Sequence, residues 1–138
     1  MNKISIKAVI VGAVVDNSMT FFIMNLLAAA LLSTGITEDE FMARMKSTNG
    51  MLLGLILGPG CTVLGAYVAG RIAKRAERLH GALVAIAGMI VSLIFHDSST
   101  PILFDIAGFA LMLPAGIFGG YLAEARRKAQ EGGGGEVH

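Results

Sequence analysis

Four long apolar stretches divide the chain, at residues 6–33, 50–72, 81–95 and 102–123. A helix that rises 1.5 Å per residue needs about 20 largely apolar residues to cross the hydrocarbon core of a bilayer. The third stretch is shorter than this length and is the least clear of the four. Strands of membrane barrels are short and alternate in polarity, whereas these runs are continuous, so the pattern predicts four membrane-spanning helices.

The polar segment between the first two stretches predicts a fifth, shorter helix. Thr37 is followed three residues later by Glu40, which is the spacing of a helix-starting capping box. Beyond it, apolar side chains alternate with basic ones at helical spacing: Phe41, Met42 and Met45 against Arg44 and Lys46. We interpret this segment as an amphipathic helix on the outer membrane surface. Packing against the end of the helical bundle is an equally good interpretation.

The distribution of lysine and arginine predicts the orientation in the membrane. Nine of the eleven basic residues precede the first stretch, lie between the second and third, or follow the fourth: Lys3, Lys7, Arg71, Lys74, Arg75, Arg78, Arg126, Arg127 and Lys128. The other side carries only Arg44 and Lys46. Because basic residues accumulate in cytoplasmic loops, both termini are predicted to be cytoplasmic. The first stretch could instead be a cleaved signal peptide, but the polar Asp16 and Asn17 interrupt it, so we retain it as a span.

The composition agrees with a membrane protein and limits the possible chemistry. The chain is 54% hydrophobic and 15% charged, with a mean hydropathy of +0.69, whereas an ordinary soluble domain has about 25% charged residues. The basic residues follow the topology and do not gather into one face, so no nucleic-acid partner is predicted. The single cysteine, Cys61, excludes an intrachain disulfide and a multi-cysteine metal site. No catalytic or cofactor motif is found, and we therefore expect a protein that is not an enzyme and binds no metal or cofactor.

Small residues recur along one side of the second and fourth spans. The second span has Gly54, Gly58 and Gly65, and the fourth has Gly116 and Gly119, at spacings that place each set on one helix face. Lipid provides no hydrophobic drive between helices, so close backbone contact through small residues holds such helices together. We expect these glycines to be packing positions, in this chain or between copies. A groove that binds a ligand is the alternative.

Asp16 is the most informative polar residue, because it lies about 13 Å into the first span at 1.5 Å per residue. A charge at that depth costs about 2.5 to 3.5 kcal/mol, so Asp16 should face the protein interior. Together with Asn17, Thr20 and Asn25 it forms a candidate intramembrane polar site. Such a site would serve a proton, a cation or a small polar solute. The alternative is a hydrogen bond that joins two helices.

Three segments resemble a group of small, uncharacterised bacterial membrane proteins with four helices. They are the opening Ile4 to Asp16, the stretch Gly65 to Gly81, and Gly119 to Leu122. The resemblance implies a four-helix fold in a bacterial membrane, and it implies no activity.

Together these observations predict an all-α, integral membrane four-helix bundle, with both termini inside and a short amphipathic helix in the first external loop. The bundle covers residues 1–131, and residues 132–138 form a flexible tail. We expect a multi-pass protein of the bacterial inner membrane that associates with the lipid bilayer as a homo-oligomer or within a larger membrane complex. Its predicted role is structural or accessory, and the alternative is a small oligomeric channel or transporter that uses Asp16.

Overall fold

The computed structural model describes residues 4–95 and 101–132, and the regular secondary structure of these residues is entirely helical, without strands. Their five helices are α1 (Ile6–Leu32), α2 (Glu38–Lys46), α3 (Thr48–Ala73), α4 (Glu77–Ile94) and α5 (Ile102–Gly132). All except α2 are long and apolar enough to cross a membrane. The predicted fold class, an all-α bundle with four membrane-spanning helices, is confirmed. The orientation in the membrane stays a prediction.

Two helices extend beyond the apolar stretches that predicted them. Helix α4 begins at Glu77 instead of Gly81, because Glu77 and His80 are buried against partners and do not form a solvated loop. Helix α5 continues to Gly132, nine residues past the predicted end at residue 123. Ion pairs at i,i+4 spacing stabilise this extension: Glu124 with Lys128, and Arg127 with Glu131. Of the predicted flexible tail, residues 132–138, Gly132 is the last residue of α5, and residues 133–138 lie outside the described residues.

Helix α2 starts with the capping box that its sequence predicts. The Thr37 hydroxyl accepts a hydrogen bond from the backbone N–H of Glu40, and the Glu40 carboxylate accepts one from the Thr37 N–H. The end of α2 lies against the start of α3, where a Cβ on Gly50 would meet the backbone of Met45. The structure thus has α2 folded back on α3, while its position relative to a membrane surface stays a prediction.

The four long helices pack as a bundle in which α3 and α4 separate α1 from α5. Helix α5 packs against α3 and α4, and α1 packs against the same two helices from the other side. The buried apolar core consists mostly of small side chains: Ala8, Cys61, Ala66, Ala69, Val84, Ala85 and Ala123. Large apolar side chains point outward, as Phe21 and Ile56 do with 72% exposure each. This arrangement suits a bundle whose surroundings are lipid, because close backbone packing replaces burial of large side chains.

Paired glycines bring helices into close backbone contact at two places. A Cβ added to Gly12 of α1 would lie 2.7 Å from the carbonyl oxygen of Gly65 in α3. Gly81 of α4 and Gly116 of α5 face each other in the same way, each too close to the other's carbonyl oxygen to accept a side chain. The pairing of Gly12 with Gly65 brings α1 against α3 one helical turn from Asp16, and this contact determines where that acid lies.

Candidate functional site

Asp16 lies in the interior of the bundle, with 4% of its surface exposed. The Thr62 hydroxyl of α3 lies 3.2 Å from Oδ2 of Asp16 and 3.4 Å from Oδ1, within donating distance of the carboxylate. The Asp16 Cβ lies directly against Gly65, where an added Cβ would be 2.8 Å away. A side chain larger than hydrogen at position 65 would therefore push α1 away from α3 and separate Asp16 from Thr62.

Helix α4 also lies close to Asp16, with α5 packed beside it. A Cβ added to Gly88 of α4 would lie 3.1 Å from Oδ2 of Asp16 and 2.9 Å from the terminal methyl of Met112 in α5. Three spans, α1, α3 and α4, thus lie around the carboxyl group, and Met112 of α5 lies against Gly88. Cavities open at both ends of the bundle and on the α4–α5 face, with volumes between about 320 and 400 Å³, and Asp16 lines none of these.

The hydrogen bonds of Thr62 accommodate Asp16 with or without a proton. The Thr62 hydroxyl also lies 3.2 Å from the carbonyl oxygen of Gly58, one turn earlier in α3. When Asp16 is ionised, the single hydroxyl hydrogen can point to the carboxylate. When Asp16 is protonated, its own O–H can donate to Thr62, whose hydrogen then turns to the Gly58 carbonyl. Asp16 and Thr62 can therefore stay bonded in either protonation state.

The predicted polar set on α1 divides between two sides of the helix. Thr20 is partly buried and donates its hydroxyl to the backbone carbonyl of Asp16 at 3.0 Å. Asn17 and Asn25 are exposed on the surface of the bundle, and each donates an amide hydrogen at 2.8 Å to the backbone carbonyl four residues earlier. The four residues thus do not form one site, and Asp16 alone reaches across to another helix.

Thr62 is not among the predicted site residues, although the sequence shows how deep in the membrane it lies. Asp16 lies ten residues after the start of α1, and Thr62 lies eleven residues before the end of α3. Because the two helices run in opposite directions between the same membrane faces, equal distances from the shared face place the two side chains at similar depth. Matching polar residues by depth would have identified the pair.

The glycines predicted to be packing positions also have different surroundings. Gly65 packs on α1, Gly116 on α4, and Gly119 on α3, where a Cβ would lie 2.8 Å from that of Ala66. A Cβ on Gly54 or Gly58 would meet nothing within 4 Å. The regular spacing places Gly54, Gly58 and Gly65 on one side of α3, but α1 packs closely only at Gly65, and the other two positions remain open.

A second group of buried polar side chains lies at the end of the bundle where α3 connects to α4. Glu77 has a side-chain exposure of 3% and accepts a hydrogen bond at 2.6 Å from the Nε–H of Arg127 in α5. Arg127 also donates to Glu131 at 2.9 Å. The sequence places Glu77 between the second and third spans and Arg127 after the fourth, but it does not show that α5 extends far enough to bring Arg127 to Glu77.

His80 connects the beginning of α1 to the first turn of α4. Its ring is fully buried, Nε2 accepts the backbone N–H of Ser5 at 2.9 Å, and Nδ1 lies 2.9 Å from the Ala76 carbonyl oxygen. The carbonyl can only accept, so the bonds assign the hydrogen to Nδ1 and leave the imidazole neutral. His80 thus satisfies backbone groups at two helix ends.

These contacts describe an arrangement in which buried polar groups join one helix to another. Comparison of the chain with protein-family models, with curated proteins and with solved structures finds no match. Its role is therefore inferred from the arrangement of its own residues.

Proposed function

We propose that this chain is a small, non-enzymatic, multi-pass protein of the bacterial inner membrane that serves as a structural or accessory component of a membrane assembly. The hydrogen bond from Thr62 to Asp16 carries the proposal. Asp16, the acid that lies at mid-depth among the described residues, is held by a residue of another helix, in a location closed by glycine backbone. This is the environment of a packing hydrogen bond.

The other buried polar side chains support the same role. Among the described residues, Asp16, Thr62, Glu77 and His80 are the buried polar or charged residues. Asp16 and Thr62 join α1 to α3, Glu77 joins α4 to α5 through Arg127, and His80 joins α4 to the residue that caps α1. Each polar group thus contributes to holding the bundle together, and the outer surface is left for lipid or for other membrane helices.

The placement in a bacterial inner membrane rests on the resemblance of the three segments and on the distribution of charge. The nine basic residues on one side support cytoplasmic termini. The charged extension of α5 and the turn between α3 and α4 then lie at the cytoplasmic surface, where an accessory protein could contact soluble or peripheral partners.

A small channel or transporter for protons, cations or a polar solute is the second candidate. It is favoured by the ability of Asp16 and Thr62 to remain hydrogen-bonded with or without a proton on the carboxyl group. Intramembrane acids that change their protonation are common in proton pathways. In this interpretation the bond would relay a proton and would not merely hold two helices.

Substitutions at Asp16 separate the two candidates. Asp16→Asn keeps a hydrogen-bonding group opposite Thr62 and removes the titration, whereas Asp16→Leu removes both. The proposed role predicts that Asp16→Asn unfolds like the wild type, that Asp16→Leu loses about 1 to 2 kcal/mol of stability, and that proteoliposomes of all three show the same proton and potassium flux. Thr62→Val should resemble Asp16→Leu, since it removes the other half of the bond.

Flux that is present in the wild type and lost in a well-folded Asp16→Asn variant would overturn the structural proposal and establish transport. Circular dichroism in detergent, followed during thermal unfolding, measures the stability of the same preparations.

A further inference from the structure

One side of α1 presents a regular row of exposed residues to the lipid. Val14, Ser18, Phe21 and Asn25 follow one another at steps of four, three and four, and all four are exposed. We call these four residues the α1 row. Gly12 and Asp16, which pack against α3, lie on the opposite side of the helix. Steps of three and four are the spacing of the contact positions in two helices that cross at a small angle.

Asn25 is poorly suited to an environment of lipid. Helix α1 has 27 residues, and Asn25 lies six residues beyond its middle, or about 9 Å along the axis at 1.5 Å per residue. This depth is within the hydrocarbon core, which extends about 15 Å to each side of its centre. The bond to the Phe21 carbonyl uses one amide hydrogen of Asn25. No described residue pairs with the other hydrogen or with Oδ1, and leaving these groups unpaired in lipid is costly.

We propose that the α1 row is the contact surface for a second copy of this chain. Two copies with the same orientation are related by an axis along the membrane normal, so their α1 helices run parallel. Every residue of the row then meets its own counterpart at the same depth. An amide both donates and accepts, and a hydroxyl does the same, so Asn25 and Ser18 each pair with themselves. Phe21 and Val14 provide the apolar contacts between these polar pairs.

The choice of a second copy follows from this self-complementarity. A lysine or an aspartate in the same row would face a like charge across the axis, whereas asparagine pairs with asparagine without any change of charge. Ser18 and Asn25 are seven residues apart and therefore occupy equivalent positions in successive heptads. A polar residue at such a position is known to select register and partner number in paired helices.

The inference rests on the proposed role in a membrane assembly, because it names the first partner in that assembly. In this inference, two opposite sides of α1 each bind another helix. The side with Asp16 binds α3 of the same chain, and the side with Asn25 binds α1 of the next copy.

Two asparagines on α1 provide a matched test. Asn17 and Asn25 are both exposed and each bonds at 2.8 Å to the carbonyl of the preceding turn. Asn17 lies outside the α1 row, and the residues seven before and after it are the apolar Ile10 and Met24, so it has no second polar residue in the same heptad position. Donor- and acceptor-labelled protein in liposomes, diluted stepwise with lipid, gives the dimer dissociation constant by energy transfer. Asn25→Val should weaken dimerisation about tenfold, whereas Asn17→Val should change it less than about threefold.

Cysteine cross-linking tests the geometry directly. In a chain whose buried Cys61 is replaced by alanine, Phe21→Cys should form a disulfide-linked dimer within liposomes under mild oxidation. Ile56→Cys is the control, because Ile56 of α3 is exposed to the same extent as Phe21, at 72%, but faces a different part of the lipid. Equal cross-linking at the two positions, or energy transfer that is no greater than for a random distribution, overturns the proposal.

The failure of this inference and the failure of the proposed function give different results. If the chain is monomeric in liposomes and Asp16→Asn leaves the flux unchanged, the second copy is wrong and the assembly role remains. If Asp16→Asn abolishes flux while the Phe21→Cys dimer forms, the assembly role is wrong and the contact surface is right.

Discussion

Single residues in this bundle have effects that depend on which neighbour they meet, even when their type and spacing are the same. Gly58 and Gly65 belong to one row on α3, yet a Cβ at position 65 would lie 2.8 Å from that of Asp16, and one at position 58 would meet nothing. The sequence predicts that Asp16 faces inward, because the cost of a lipid-exposed carboxylate is known. It does not predict which glycine α1 covers, since that depends on the crossing point of the two helices.

A pair of glycine substitutions tests this difference. Gly65→Ala should lower the free energy of unfolding by about 1 to 3 kcal/mol, because the added methyl group forces α1 away from α3. Gly58→Ala should be neutral or slightly stabilising, since alanine favours a helix more than glycine does. Thermal unfolding in detergent, monitored by circular dichroism, measures both. A larger loss for Gly58→Ala than for Gly65→Ala would contradict the observed packing of α1.

The backbone at Ala76 provides a second residue-scale prediction. Ala76 precedes α4 with a φ of 46°, in the left-handed region that disfavours residues with a Cβ. Ala76→Gly should therefore raise the stability by up to about 1 kcal/mol. Ala73→Gly, at the last residue of α3, is the control and should lower it by a similar amount. Destabilisation by Ala76→Gly would show that the conformation carries no strain.

At the scale of elements, helix starts and ends were predictable where local chemistry determines them and not where tertiary contacts do. The capping box of α2 uses only Thr37 and Glu40, and the sequence shows both. The start of α4 depends on Glu77, which is helical and buried because Arg127 reaches it from α5, fifty residues later. A pattern within the α4 sequence cannot contain that information, so the two charges and the histidine of residues 77–80 predict a loop.

The ion pair between α4 and α5 should respond unequally to removal of its two members. Arg127→Met leaves the Glu77 carboxylate buried without its partner, whereas Glu77→Gln leaves Arg127 bonded to Glu131. Because an unpaired buried charge is the costly state, Arg127→Met should lower the unfolding temperature more than Glu77→Gln does. The double variant should recover part of the loss. Equal effects of the single variants would mean that Glu77 is hydrated in solution.

At the scale of the whole molecule, the predicted orientation rests on charge at the ends of the helices and not on packing between them. The described helices would pack identically in either orientation, which is why the nine-to-two distribution of basic residues is the evidence for cytoplasmic termini. Fold class followed from the apolar stretches alone. The lateral arrangement, with α1 and α5 on opposite sides of α3 and α4, follows from contacts between glycines that no single stretch reveals.

Labelling of introduced cysteines checks the orientation. Thr34→Cys, in the turn after α1, should react in intact cells with a maleimide that cannot cross membranes. Arg75→Cys, in the turn before α4, should react only after the membrane is made permeable. Both positions are exposed, and the native Cys61 is 2% exposed and should give little background. The reverse pattern would place both termini outside.

The short α4 has a consequence for the bilayer itself. Its 18 residues extend about 27 Å, less than a hydrocarbon core of roughly 30 Å, and its end at Leu93 and Ile94 is 59% and 71% exposed. The bilayer must become thinner beside α4 to match its length, whereas the neighbouring α5 is long enough to cross a bilayer of ordinary thickness. The protein should therefore be more stable in phospholipids with 14-carbon chains than in those with 18-carbon chains. A membrane of uneven thickness would then gather this protein into its thinner regions.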